Sequence, residues 1–144
     1  MKHKIRTEII INASKEKVWS ILADLEAYPT WNPFIVQSIG KLQPNTKLKN
    51  RLQNGAKTIV FTPKVLSVIP NRYFDWLGVL WIKGLFDGHH YFEIEELSSN
   101  QVNLIHGENF SGILSSIILK QIGEDTRNNF VQMNQALKAR AEQG

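Results

Sequence analysis

The chain of 144 residues contains no cysteine, so it has no disulfide framework and no thiol nucleophile, and its redox compartment is left open. Long apolar runs are also missing. The opening "MKHKIRTEIIIN" carries only the short run Ile9 to Ile11, far below the apolar region of a signal peptide. Nothing approaches the ~18 apolar residues of a membrane-spanning helix. These absences give the expectation of a soluble, cytoplasmic chain without a membrane span. The charge excess is small, 17 Lys and Arg against 13 Asp and Glu, a formal +4. Lys47, Lys49 and Arg51 alternate, as do Lys4 and Arg6, which suits the solvated face of a half-buried strand. No aromatic residues interleave with them as a nucleic-acid platform requires, so no nucleic-acid partner is expected. A chain of this size buries roughly 70% of its unfolded surface and reads as one domain over residues 1–144.

Hydrophobic periodicity divides the chain into three parts. Ile5, Thr7, Ile9 and Ile11 share one face of a first strand. In "ASKEKVWSILADL", Val18, Ile21, Leu22 and Leu25 then stand at helical spacing, with Ser14 as cap and Glu16 in the first turn. Pro29 and Pro33 break that helix and leave the aromatic loop "EAYPTWNPFI" around Trp31 and Phe34, with room for one more helical turn. From there to Phe110 the sequence reads as five or six strands at hairpin spacing: an alternation of Leu48, Asn50 and Leu52, a turn at Asn54-Gly55, "KTIVFTPKVLSVI" with Pro63 at a bulge or edge, a turn at Pro70-Asn71, "YFDWLGVLW", and a turn at Lys83-Gly84. With no helical crossovers between them, these strands form an antiparallel meander. The final third returns to helical spacing through Leu114, Ile118, Ile122, Thr126, Phe130, Met133 and Leu137, with a bend or break expected near Gly123. The fold class is α+β: a curved antiparallel sheet around a long C-terminal helix, with two short helices after the first strand. The polar stretch between Gly123 and Asn129 leads us to expect loose packing there, and a cavity of roughly 300 Å³ or more beneath the helix.

The order of these segments carries a resemblance. "KEKVWSILADLEAYPTWNPF" after a first strand, then "GHHYFEIEEL", "HGENFSGIL" and the tail "NNFVQMNQALKARAE", resemble the polyketide cyclase/START-like (SRPBCC) family, over nearly the whole chain. The resemblance implies the helix-grip fold of the birch pollen allergen superfamily and a pocket for a small hydrophobic molecule such as a lipid, polyketide or aromatic compound. It leaves open a cyclase or dehydratase, a carrier, and a co-chaperone-like interaction module.

Strand phase selects the residues that face such a pocket. Phe92 and Ile94 bring Gly88 and His90 inward and send His89, Tyr91, Glu93 and Glu95 outward, while Val102 and Leu104 bring His106, Glu108 and Phe110 inward. A three-residue loop at Ser98, Ser99 and Asn100, with Asn100 left-handed, places His90 opposite Glu108 and Phe92 opposite His106. Trp76 shares the inward phase with Phe74 and Leu80, opposite Asp75. Trp31, Phe34, Trp76, Phe92 and Phe110 are therefore the expected wall, with His90, His106 and Glu108 as its polar anchor. Trp19 and Trp81 are left to packing. The polar three can be a satisfied structural group, the polar end of a ligand site, or an acid/base pair, and the sequence does not decide between them. A metal site is disfavoured because His89 and His90 point to opposite faces. No phosphate loop or nucleophile elbow occurs, and no cofactor is called for.

Overall fold

The computed structural model describes residues 3–80, 84 and 86–143. Trp81, Lys83 and the side chain of Leu80, given above to packing, a turn and the inward phase, lie outside the described residues.

Strand β1 (His3–Ile11) leads into helix α1 (Lys15–Leu22) and a short 3-10 helix (Leu25–Thr30). Ser14 caps α1, its Oγ accepting from the Lys17 N–H at 3.1 Å. Pro29 sits inside the 3-10 helix, and the Tyr28 hydroxyl donates to the Leu22 carbonyl at 2.6 Å, tying the two short helices together. Among the described residues seven strands follow: β2 (Ile35–Ile39), β3 (Lys49–Asn54), β4 (Lys57–Phe61), β5 (Lys64–Ile69), β6 (Tyr73–Leu80), β7 (Phe86–Ser98) and β8 (Gln101–Ser111). Helix α2 (Ser115–Ala141) closes the chain. Among the described residues no helix is long and apolar enough to cross a membrane.

The strands form two antiparallel sheets, a five-stranded one in the order β1-β8-β7-β6-β5 and a three-stranded one in the order β2-β3-β4. The five-stranded curved sheet gripping a long C-terminal helix, after two short helices, is the helix-grip fold. The smaller sheet departs from the single meander expected. "KTIVFTPKVLSVI" is not one strand: Pro63 lacks an N–H, so the chain leaves the three-stranded sheet after Phe61 and enters the five-stranded one at Lys64. The segment Ile35–Ile39, at the end of the aromatic loop, is one edge strand of the small sheet.

Local turn chemistry explains the hairpins. The β3–β4 loop is Gly55-Ala56 rather than Asn54-Gly55, since Asn54 pairs with Lys57 and the positive φ falls on Gly55, at 62°. Asn71 takes the left-handed position before β6, with φ 67°. In the β7–β8 hairpin the expected register holds, with His90 opposite Glu108 and Phe92 opposite His106. The loop itself is shorter than expected, because Ser98 pairs with Gln101 and the extra residue is absorbed as a bulge between Glu96 and Ser98. Asn100 is not left-handed.

Helix α2 runs continuously through Gly123, so of the expected bend or break the break does not occur. Its packing is nonetheless uneven. Phe130, Met133, Asn134, Leu137 and Ala141 are buried, whereas of the preceding turns only Ser115 is, and Ile118, Ile122 and Thr126 are half-buried. The apolar core lies under the C-terminal half, where these residues meet Val18, Leu22, Phe74, Phe92 and Leu104.

Candidate functional site

A cavity of about 170 Å³ opens between the two sheets. The small sheet contributes Ile35, Leu52, Ile59 and Phe61, joined by Phe34 from the preceding loop. The large sheet contributes Trp76, Gly78 and Val79 from β6, Phe86, Gly88 and His90 from β7, and Glu108 from β8. This corrects two expectations, since the cavity is neither beneath α2 nor as large as 300 Å³. The reason is Phe130, which fills the space under the helix. Its ring stacks on His106 at 4.3 Å, meets His90 edge-on at 4.9 Å and leans on Phe34 at 5.5 Å.

Trp76, His90 and Glu108 line the cavity as the strand phase implied, and Phe34 does so from the aromatic loop. Phe92 does not. It is core, 4.9 Å from Phe74 and 4.3 Å from the His106 ring. Trp31 packs edge-on against Tyr28 at 5.2 Å, away from the cavity. Phe110 stacks on the cavity-wall residue Phe86 at 5.4 Å but itself lines a separate groove with His3, Lys4 and Ser115. His106 is fully buried behind His90.

Two glycines make the cavity possible. Gly78 and Gly88 face each other across β6 and β7, so this part of the wall is bare backbone. A Cβ on Gly88 would collide with Oε2 of Glu108, so the carboxylate lies directly over the glycine. Both glycines fall on the inward strand phase. That signal was present in the sequence.

The polar end of the cavity is the first member of a buried chain of contacts. Glu108 Oε1 lies 2.9 Å from His90 Nδ1, His90 Nε2 lies 2.7 Å from His106 Nε2, and His106 Nδ1 lies 2.8 Å from Asn134 Oδ1. The Asn134 amide donates to Thr7 Oγ1 at 2.8 Å, and Thr7 donates to the His106 carbonyl at 2.7 Å. Thr7, His90, His106 and Asn134 are all buried. The chain thus joins β7, β8, β1 and α2. Burial, and then the neighbouring His90, hold the His106 imidazole well below its ordinary titration range, against the Asn134 contact that favours its charged form. Trp76 stacks on His90 at 5.2 Å, so the polar pair is walled by an aromatic ring on the cavity side. Asn134 and Thr7 were not singled out from the sequence, since Asn134 is one of several polar residues in the helix and Thr7 reads as an ordinary strand position.

His89 points to the opposite sheet face, as expected, where its Nε2 lies 2.7 Å from Asp75 Oδ2. Asp75 also accepts from the Ser67 N–H and the Tyr73 hydroxyl, both at 2.8 Å, and so ties down the bulge between Val65 and Ser67. Burial first, and then this carboxylate, raise the Tyr73 hydroxyl well above its ordinary range. The cluster is internally satisfied and structural.

A sequence profile described as "Polyketide cyclase / dehydrase and lipid transport" matches residues 2–142. The chain matches no curated protein sequence. Among solved structures it is similar to the Zhui aromatase/cyclase from Streptomyces sp. R1128, with TM-score 0.81 and 13% identity over 99% of this chain and 94% of that one. It is also similar to a START superfamily protein from Mycobacterium smegmatis, with TM-score 0.74 and 22% identity over 97% of both chains. A norcoclaurine synthase point mutant from Thalictrum, in complex with a transition-state analogue, gives TM-score 0.74 and 12% identity over 98% of this chain and 94% of that one. At these identities the likeness is one of fold.

Proposed function

We propose that this chain, which belongs to the polyketide cyclase / dehydrase and lipid transport family, binds a small hydrophobic molecule in the cavity between its two sheets. The observation that carries the reading is an apolar, aromatic-walled cavity with one polar corner, the arrangement by which ligand sites combine affinity with orientation. Phe34 and Trp76 form wall, Glu108 is the anchor, and His90 holds Glu108. His106 and Phe92 support these residues from behind. Trp31 and Phe110, which do not line the cavity, carry no ligand contact in this reading.

A second reading has one observation in its favour, the contact chain from Glu108 to Asn134. Such a chain can hold a proton at a wall that is otherwise apolar, which is what a general acid or base needs. Glu108→Gln separates the two. If Glu108 only anchors a ligand, the amide keeps the shape and affinity falls by about 1.5 to 3 kcal/mol, the scale of a hydrogen bond to a charged group. If Glu108 transfers a proton, turnover drops by roughly 10² to 10⁴ while binding changes little. A ligand is first found by thermal-shift screening, in which a binder at about 100 times its Kd stabilises by about 2.7 kcal/mol. A wild-type protein that binds a compound and returns it unchanged supports the binding reading for that compound. Conversion that the glutamine variant abolishes overturns it.

A further inference from the structure

The hydrogen bonds behind the cavity can be assigned donor by donor, beginning from a group that has no choice. The His106 carbonyl only accepts, so Thr7 gives it the hydroxyl proton. The Thr7 oxygen then receives an N–H from Asn134, which turns the Asn134 carbonyl towards His106. A carbonyl oxygen accepts, so His106 Nδ1 carries a proton. With His106 uncharged in its buried position, its Nε2 is a lone pair, and the facing His90 Nε2 must be the donor. His90 Nδ1 and Glu108 Oε1 remain, 2.9 Å apart. Without a proton between them two acceptors would face each other against an aromatic wall. With one proton the contact is a hydrogen bond.

That single proton sits on His90, making an imidazolium and carboxylate, or on Glu108, making two neutral groups. Both states have zero net charge. In both, Glu108 Oε2, which lies over Gly88 at the cavity wall and has no partner among the described residues, is an acceptor. No other titratable side chain among the described residues lines the cavity, and the elements packed on the pair present Trp76, Phe92 and Phe130 to it. The polar corner therefore offers an acceptor and no net charge. The volume adds a limit on size. A cavity of about 150 Å³ with apolar walls holds one benzene ring, and this one measures about 170 Å³.

Resting on the binding reading above, we propose that the cavity takes an uncharged single-ring compound bearing a hydroxyl that donates to Glu108, and that Thr7, Asn134 and His106 are positioning residues that enforce this choice. Acceptor-only rings place oxygen against oxygen at Glu108. Charged rings add a net charge to a corner that holds none.

The test uses the full chain at pH 7.5 and four probes of one ring each: phenol, benzaldehyde, benzoate and benzylammonium. Binding is followed by the Trp76 indole signal in proton–nitrogen spectra. Phenol should bind at least tenfold more tightly than the other three. Equal or tighter binding of benzaldehyde, benzoate or benzylammonium overturns the proposed ligand class while leaving the cavity a binding site. Binding of dodecanol or anthracene with no response to phenol overturns the size limit and again spares the binding reading. If none of these compounds moves the Trp76 signal, the binding reading fails, and this proposal with it. The positioning role has its own readout in long-range nitrogen spectra of the wild-type imidazoles, which should show His106 protonated at Nδ1 and bare at Nε2. The opposite tautomer overturns the assignment. Asn134→Leu, where it folds, should bring phenol and benzaldehyde to within about threefold of each other, and an unchanged preference would remove Asn134 from the proposal.

Discussion

His90 and His106 meet nitrogen to nitrogen, their Nε2 atoms 2.7 Å apart within the buried layer between the large sheet and α2. Two imidazoles in this position cannot both carry a proton at the shared contact. The inner one pays the larger penalty for charge, since it is fully buried and faces Phe92, Phe130 and His90, with Asn134 and Thr7 as its polar neighbours.

This arrangement fixes how stability depends on acidity. In the unfolded chain His106 titrates near the ordinary value of about 6.5, whereas in the folded protein it stays neutral to well below that. Above that ordinary value both states are neutral there and His106 costs the fold nothing. As pH falls below it, the unfolded chain binds a proton that the folded one refuses, and stability declines by up to about 1.4 kcal/mol per pH unit until the folded-state value is reached. Urea unfolding of wild type and His106→Gln between pH 7.5 and 5 checks this. The variant should be less stable at pH 7.5 yet show a shallower acid decline. Parallel curves would place the acid sensitivity elsewhere.

Gly88→Ala should act on the site more than on the fold. The added methyl takes the place of Glu108 Oε2, the far end of a side chain that can swing away. The expected cost is about 1 to 3 kcal/mol, from leaving the buried His90 without its partner. Ligand affinity should fall at least as far as in Glu108→Gln. A variant with wild-type binding would show that Glu108 is not the anchor.

Phe130→Ala tests why the cavity lies where it does. Removing this ring should cost about 3 to 5 kcal/mol in urea unfolding, as for a fully buried phenylalanine, and should open the space under α2. Ligands too long for the wild-type cavity should then bind. Unchanged size selectivity would mean that some other side chain sets the inner boundary.

The contrast between what the sequence revealed and what it withheld follows from the range of each signal. Period-two alternation is local, so His90, His106 and Glu108 could be assigned to the inner face, and the register read from the Ser98–Asn100 turn paired His90 with Glu108 as observed. The same phase cannot separate a residue that faces a cavity from one that faces a packed neighbour. Trp76 and Phe92 share it and both belong to the core, yet only Trp76 also lines the cavity. The position of the cavity depends on the small sheet folding over the large one. Pro63 was a sign of interruption, but nothing local distinguishes a bulge in one sheet from a passage to another. Asn134 was beyond reach for a related reason, since its role exists only where α2 crosses β8.

Gly78 and Gly88 face each other across one strand pair, but they are not equally replaceable. A methyl on Gly88 displaces the carboxylate, whereas one on Gly78 would meet the edge of the Phe61 ring at 3.4 Å, an ordinary contact. The depth of the cavity and the chemistry of its polar corner are thus governed by different positions. Descendants of this sequence can trim the accepted ligand one methyl at a time at Gly78, keeping the proton at His90 and Glu108 in place, and so explore new sizes of molecule without first losing the group that orients them.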